Sequence, residues 1–318
     1  SRTAGALAMK TTPVTKPDLG ASVFAVPPLA RNADLSLNRA ANAAQIRHVE
    51  AGGVTSILYG GNANMFHVSV AEFPALLDML EELAAPNTWM IPSVGPEFGL
   101  LMDQMAILRQ RRFPTAMVLP LASPGTSDGL ESGIARAAEK FGRQLILYIK
   151  SETGLTPDAL GRLVERGLVC AVKYGIERLD PKQDEFLKRI LDRVDRSLVV
   201  SGMGERPAIV HLRDFGLAGF TSGCVCIAPR SAMLLLKAMQ RGDWAEAERL
   251  RALFMPLEEC RIRLHLIRVL HEALTLSGIA DMGPILPMLS NIDAKHHAEI
   301  RTLALALKEA DVRQSLAA

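Results

Sequence analysis

Leu-Val-Cys-Ala-Val-Lys-Tyr-Gly, residues 168–175, sets an ammonium group at the end of an apolar run of strand length. Two chemistries are open to it. The side chain of Lys173 can snorkel, laying its methylenes on apolar neighbours while the charge reaches water. Alternatively, burial disfavours the charged form, the proton leaves, and the neutral amine becomes a nucleophile toward ketones. Strand alternation puts Lys173 on the face of Ala171 and Val169, with Tyr174 on the other. The small Ala171 leaves room for a long side chain to reach inward. The other lysines fall in predicted helices, loops or polar strand edges. Lys150, the nearest rival, shares the face of Tyr148 one step further into a loop, where a solvated charge is expected.

The three tyrosines, Tyr59, Tyr148 and Tyr174, each end or follow a strand-like run. Tyrosine is at home in strands, so one such placement says little, but three of three point to strand ends that share a task. Tyr148 ends the run before that of Lys173, and its phenol can approach the amine. A second cluster is Tyr-Gly-Gly-Asn-Ala-Asn-Met-Phe, residues 59–66. Paired glycines let the backbone turn tightly and present N–H groups to an anion, and Asn62 and Asn64 add amides. The same composition also serves ordinary turns. Among the histidines only His67 falls near a predicted strand mouth, where a surface or packing role is expected. Cys224 and Cys226 read as neighbours on one face of a strand, without a second Cys or His pair at zinc-like spacing. With Cys170 and Cys260 they read as packing residues, and no metal is expected.

Strand-length runs recur at Val23–Val26, Thr55–Tyr59, Trp89–Val94, Thr115–Leu119, Leu145–Ile149, Leu168–Lys173, Leu198–Ser201 and Leu217–Thr221. Helical periodicity fills Leu37–Ala51, Val70–Ala85 and Phe98–Arg111, with Asp34 and Ser36 as start signals for the first and Ser69 for the second. Thr156, Pro157 and Gly167 bracket a further helix. Eight strands alternating with helices predict a parallel (β/α)8 TIM barrel; a doubly wound sheet is disfavoured, because no Gly-x-Gly-x-x-Gly turn follows the first strand. From Ser231 the strands stop and two or three helices follow, broken near Gly242 and ended by Gly278. A turn then leads to a last helix from about Ala294 to Ala310. The expected organisation is an N-terminal arm (1–20), a barrel (21–230) and a C-terminal helical appendage (231–318). The opening residues lack the pattern of a secretory signal and read as partly appended ahead of a start at Met9.

The 318 residues are 49% apolar, which supplies an ample core, and no apolar run reaches the roughly 18 residues of a membrane span. Basic and acidic residues, 36 and 34, are interspersed, with no basic block of the kind that binds nucleic acid. The cysteines are too few for a disulfide framework, and a reducing cytoplasm is expected.

In order and spacing, six segments resemble the dihydrodipicolinate synthase and N-acetylneuraminate lyase family of pyruvate-type class I aldolases. They are HVEAGGVTSILYGGNANMFHVSVAEF, LILYIKSETGLTPDALGRL, LVCAVKYG, VVSGMGE, AGFTSGCVCIAPR and DMGPILPMLS. By that resemblance Lys173 is the imine-forming lysine and Tyr148 the proton-shuttling tyrosine. Gly61 and Asn62 fall on the two hydroxyl residues that hold the keto-acid carboxylate, so that site is altered, and Asn64 falls on the loop's usual glutamate. Leu121 and Ala122 stand where the synthase pattern has a tyrosine, and Glu152 where it has the arginine for its amino-aldehyde. Gly202 and Glu205 are kept in the lyase-like turn, whose aspartate is replaced by Gly204. The resemblance implies a lyase that joins or cleaves a C–C bond of pyruvate or another 2-keto acid through a lysine imine, with an aldehyde as partner and no cofactor. The Gly61–Asn62 loop, Tyr59, and Thr221 or Ser222 at strand eight would hold the substrate. Dihydrodipicolinate synthesis itself is disfavoured. The alternatives are a 2-keto-3-deoxy sugar acid dehydratase using the same imine, and a barrel that binds a keto acid without turnover. A homo-oligomer, dimer or tetramer, is expected by resemblance alone.

Overall fold

The computed structural model describes residues 9–317. Eight strands, β1 (Phe24–Ala25), β2 (Ser56–Tyr59), β3 (Trp89–Val94), β4 (Met117–Val118), β5 (Leu145–Ile149), β6 (Val169–Tyr174), β7 (Val199–Ser201) and β8 (Gly219–Ser222), pair in parallel and in chain order. The sheet closes where β1 meets β8, with Phe24 opposite Thr221. Every predicted strand is present, most of them shorter by a residue or more at an end. Buried on both faces, they are Val/Ile/Leu-rich runs with little polar alternation, as parallel strands under a layer of helices should be. A register shift at Leu145/Ile146 interrupts the β5–β6 ladder. Above it the pairing is one to one, and Tyr148 lies directly beside Lys173.

The helices around and after the barrel are α1 (Lys16–Ala21), α2 (Arg39–Ala51), α3 (Phe73–Leu83), α4 (Phe98–Leu108), α5 (Ser127–Phe141) and α6 (Pro157–Glu165). They continue as α7 (Glu185–Leu191), α8 (Ala208–Asp214), α9 (Pro229–Gln240), α10 (Trp244–Leu264), α11 (Leu266–Leu276) and α12 (His297–Ala317). Thr156 caps α6 as expected, accepting from the Ala159 N–H. For α2 the cap is Asn38 rather than Asp34 or Ser36. The two earlier residues belong to a separate turn, in which Asp34 accepts from the Ser36 N–H at 3.0 Å and Leu35 has φ of 72°.

Two regions refine the expected organisation. Residues 9–21 do not hang free as an arm: Met9 and Leu19 are fully buried, and the Lys10 N–H bonds to Thr88 just before β3. This segment therefore covers the amino end of the barrel. The earlier residues of the predicted arm lie outside the described range. At the other end α9, α10 and α12 pack together. The junction of α10 with α11, residues 262–267, reaches over the carboxyl end of the strands. The helices after the barrel thus wall its mouth as well as packing beside it.

Candidate active site

Active groups in such barrels come from the carboxyl ends of strands, since those ends share one mouth. There a cavity of about 480 Å³ opens. Lys173 and Tyr148 both line it, with the Lys173 amine 4.2 Å from the centroid of the Tyr148 ring. Lys173 is 5% exposed. Burial lowers its pKa most; Tyr148 pulls it up next, and the cations of Lys150 and Arg261 each lower it by less. Burial pushes the Tyr148 phenol up, but Lys173 and Lys150 together hold it below the ordinary tyrosine range. Lys150 is exposed, as expected, yet its amine lies 5.6 Å from the same ring.

Two glycines make room for this pair. A Cβ on Gly202, just after β7, would stand 2.7 Å from Lys173 Cγ. A Cβ on Gly175, just after β6, would stand 2.8 Å from Tyr148 Cε1. Neither gap is tolerable for packed carbon atoms, so each glycine is fitted to the reactive side chain next to it.

The other two tyrosines serve elsewhere. Tyr174 points away from the mouth, as alternation requires, and donates to Asp184 Oδ2 at 2.6 Å. Tyr59 is fully buried and outside the cavity lining, so the structure does not bring it to the site. Its buried surroundings raise its pKa, and the phenol stays neutral.

Gly61 and Asn62 do line the cavity. They open a 3-10 turn whose hydrogen bonds are donated by Ala63 and Asn64, leaving the first two N–H groups outside the turn's own bonding. The Asn62 amide is engaged: its Nδ2 donates to the Val26 carbonyl at 2.8 Å, and its Oδ1 accepts from Arg261 at 3.3 Å. Asn64 is buried in a left-handed conformation that asparagine tolerates, and His67 is exposed.

Gly202, Thr221 and Ser222 line the cavity; Glu205 lies behind it, fully buried. Ser222 Oγ donates to Glu205 Oε1, while Glu205 Oε2 has no partner. Burial, and then the neighbouring Glu258, push the Glu205 carboxyl well above the usual carboxylate range and favour its neutral form. Cys224 and Cys226 lie in a 3-10 turn after β8 rather than on a strand, and all four cysteines are buried and free.

Sequence reasoning missed Glu258 and Arg261. Both come from the last two turns of α10, line the cavity, and pair at 3.0 Å while almost wholly buried. Cys224 Sγ donates to the same Glu258 oxygen at 3.2 Å. Glu205, Cys224 and Glu258 hold their ligand atoms within 4.8 Å of one another. A cation there would meet the Arg261 guanidinium, and burial keeps the Cys224 thiol protonated, so the cluster suits protons better than a metal. Arg178, after β6, also lines the mouth; it pairs with Asp184 at 3.1 Å and with Glu152 at 3.4 Å.

Comparison with known proteins agrees with this architecture. The sequence model of the dihydrodipicolinate synthetase family matches residues 20–306. A probable 5-dehydro-4-deoxyglucarate dehydratase of Bradyrhizobium sp. (strain BTAi1 / ATCC BAA-1182) is 24% identical over 310 residues, covering 93% of this chain and 96% of the relative. One of the same description from Paracidovorax citrulli (strain AAC00-1) is 22% identical, covering 77% and 81%. Among solved structures, dihydrodipicolinate synthase of Bacillus clausii superposes with a TM-score of 0.80 at 17% identity, covering 93% of this chain and 99% of that one. A prophage protein of the dihydrodipicolinic acid synthase family from E. coli K12, in complex with pyruvate, gives 0.80 at 19% identity, covering 91% and 98%. With a closed eight-stranded barrel and a family match over nearly its whole length, the chain belongs to the dihydrodipicolinate synthetase family, a family of lyases.

Proposed function

We propose that this protein is a Schiff-base-forming lyase that removes water from a 2-keto-3-deoxy sugar acid. The observation that carries the reading is the buried Lys173 amine lying over the Tyr148 ring at the floor of the mouth. The curated relatives of matching length, described as dehydratases, direct the choice of reaction. Neutral Lys173 adds to the C2 ketone, and loss of one water with uptake of one proton, given back at the final hydrolysis, leaves a protonated imine. That cation acidifies C3. Tyr148, with its phenolate favoured by two neighbouring amines, takes a C3 proton and leaves an enamine. The enamine electrons expel the C4 hydroxyl, which departs as water with the proton that Tyr148 returns. A second water then releases the unsaturated keto acid from the lysine, so the sum is loss of one water from the substrate.

A pyruvate aldolase is the second reading, since the same imine cleaves a C3–C4 bond when C4 bears a hydroxyl, and a fold neighbour has pyruvate bound. Borohydride trapping with pyruvate and a panel of 2-keto acids tests both. An adduct mapped to Lys173 supports imine chemistry, and its absence across the panel would favour a barrel that binds without turnover. Product analysis then separates water loss from release of pyruvate and an aldehyde.

A further inference from the structure

A keto acid bound at Lys173 brings a carboxylate, and the Gly61–Asn62 loop in the same cavity offers it no free side-chain donor. Gly61 has no side chain, and the donor group of Asn62 is committed to the Val26 carbonyl. Arg261 faces the same cavity with donors to spare. Its side chain is 5% exposed, and three contacts fix the guanidinium. Nη1 donates to Glu258 Oε2 at 3.0 Å, Nε to the Leu266 carbonyl at 2.9 Å, and Nη2 to Asn62 Oδ1 at 3.3 Å. A guanidinium carries five N–H groups, so one on each terminal nitrogen is left over. The barrel makes room for it: a Cβ on Gly223, next after β8, would lie 2.9 Å from Arg261 Cζ and Nη1. The charge of Arg261 is also felt at Lys173, as expected if the two share one floor.

We propose that Arg261, carried by α10 from outside the barrel, binds the carboxylate of the 2-keto acid whose ketone Lys173 takes. The proposal rests on the lyase reading above and deepens it by naming the group that selects keto acids over neutral ketones. Guanidinium and carboxylate match as a fork of two parallel bonds, which a backbone N–H pair or a lone ammonium does not reproduce. The charges then balance: Arg261 and the iminium face Glu258 and the substrate carboxylate, while Glu205 stays neutral. A closed balance matters here because an unpaired buried charge is strongly unfavourable. Glu258 and Asn62 act as positioning residues, holding the guanidinium from two sides.

The test compares the wild type with Arg261→Met and with the double variant Arg261→Met/Glu258→Gln. The second leaves no lone carboxylate buried, and circular dichroism and thermal melting establish which variants are folded. Three probes are used: pyruvate and its neutral ester methyl pyruvate with borohydride, and oxamate, a pyruvate isostere whose amide carbonyl forms no imine, by calorimetry. In a folded variant we expect pyruvate trapping and oxamate affinity to fall about 30- to 100-fold, the range of a lost charge-assisted pair, with methyl pyruvate trapping nearly unchanged. Undiminished pyruvate trapping in a folded variant overturns the role of Arg261 and leaves the lyase reading standing. Oxamate binding that depends on Arg261, in a wild type that traps no keto acid, upholds the carboxylate site and overturns the imine. A wild type that neither binds oxamate nor traps pyruvate overturns both.

Discussion

At the scale of single residues, the site combines a reactive group and a folding cost in one side chain. Lys173 is buried where its charged form is disfavoured, so its pKa lies below the ordinary 10.5. Trapping needs the neutral amine; its rate should therefore rise with pH and level off below that value, which a pH–rate profile measures. The sign for stability follows from the same shift. In the window between the folded and unfolded values the unfolded chain binds more protons, so stability rises with pH there. Below the folded value the penalty is complete, and above 10.5 it vanishes. Lys173→Met, similar in volume and uncharged, should abolish trapping yet raise neutral-pH stability by roughly 1 kcal/mol, a gain that fades at high pH. Chemical denaturation at pH 7 and pH 10.5 checks this, and a less stable variant at pH 7 would contradict it. Tyr148→Phe keeps the ring under the amine and loses only the phenol. Turnover should drop on the order of a hundredfold or more while slow imine formation persists. Burst and steady-state kinetics separate these steps.

At the scale of elements, the placement of Lys173 and Tyr148 depends on where strands end and on which residue comes next. Gly202→Ala puts a methyl group into the Lys173 stem and Gly175→Ala puts one against the Tyr148 ring. Each should cost about 1–3 kcal/mol of stability as an overpacked substitution. Turnover should fall by up to roughly a hundredfold through displacement of the reacting group. Gly142→Ala, at a helix end where an added Cβ meets nothing within 4 Å, is the comparison for a glycine without that duty, although its φ of 75° still carries backbone strain. Unaltered kcat in Gly202→Ala would show that the lysine has more freedom than this fit allows. These elements were legible to different degrees. All eight strands could be read because apolar runs of that length, separated by helices, have few other uses. The lysine–tyrosine pair could be read because strand order and alternation place neighbours without coordinates. Asn38 was hidden behind a polar turn rich in equally good caps. Glu258 and Arg261 were hidden for another reason: three residues apart on a helix, they have the pattern of a surface ion pair. Only the packing of α10 and α11 across the mouth buries them.

At the scale of the whole molecule, the barrel and the following helices form one functional unit. No described helix is long and apolar enough to cross a membrane. We expect a homo-oligomer, dimer or tetramer, by family resemblance, and light scattering at working concentration measures it; a monomer would contradict the expectation. Cys170, Cys224, Cys226 and Cys260 are distributed between strand β6, the turn after β8 and helix α10, and all are buried with raised pKa values. Buried thiols held protonated are inert toward disulfide reagents. The native protein should therefore give almost no colour with an aromatic disulfide at pH 8, whereas denaturant should release all four equivalents. Rapid labelling of the native fold would contradict the burial. The same silence gives the molecule a built-in clock. Cys224 and Cys260 lie on the mouth side and on α10, so their labelling times the lifting of those helices from the barrel, while Cys170 inside the sheet times its opening. A keto acid that anchors α10 through Arg261 would slow the first of these and leave the second to global unfolding.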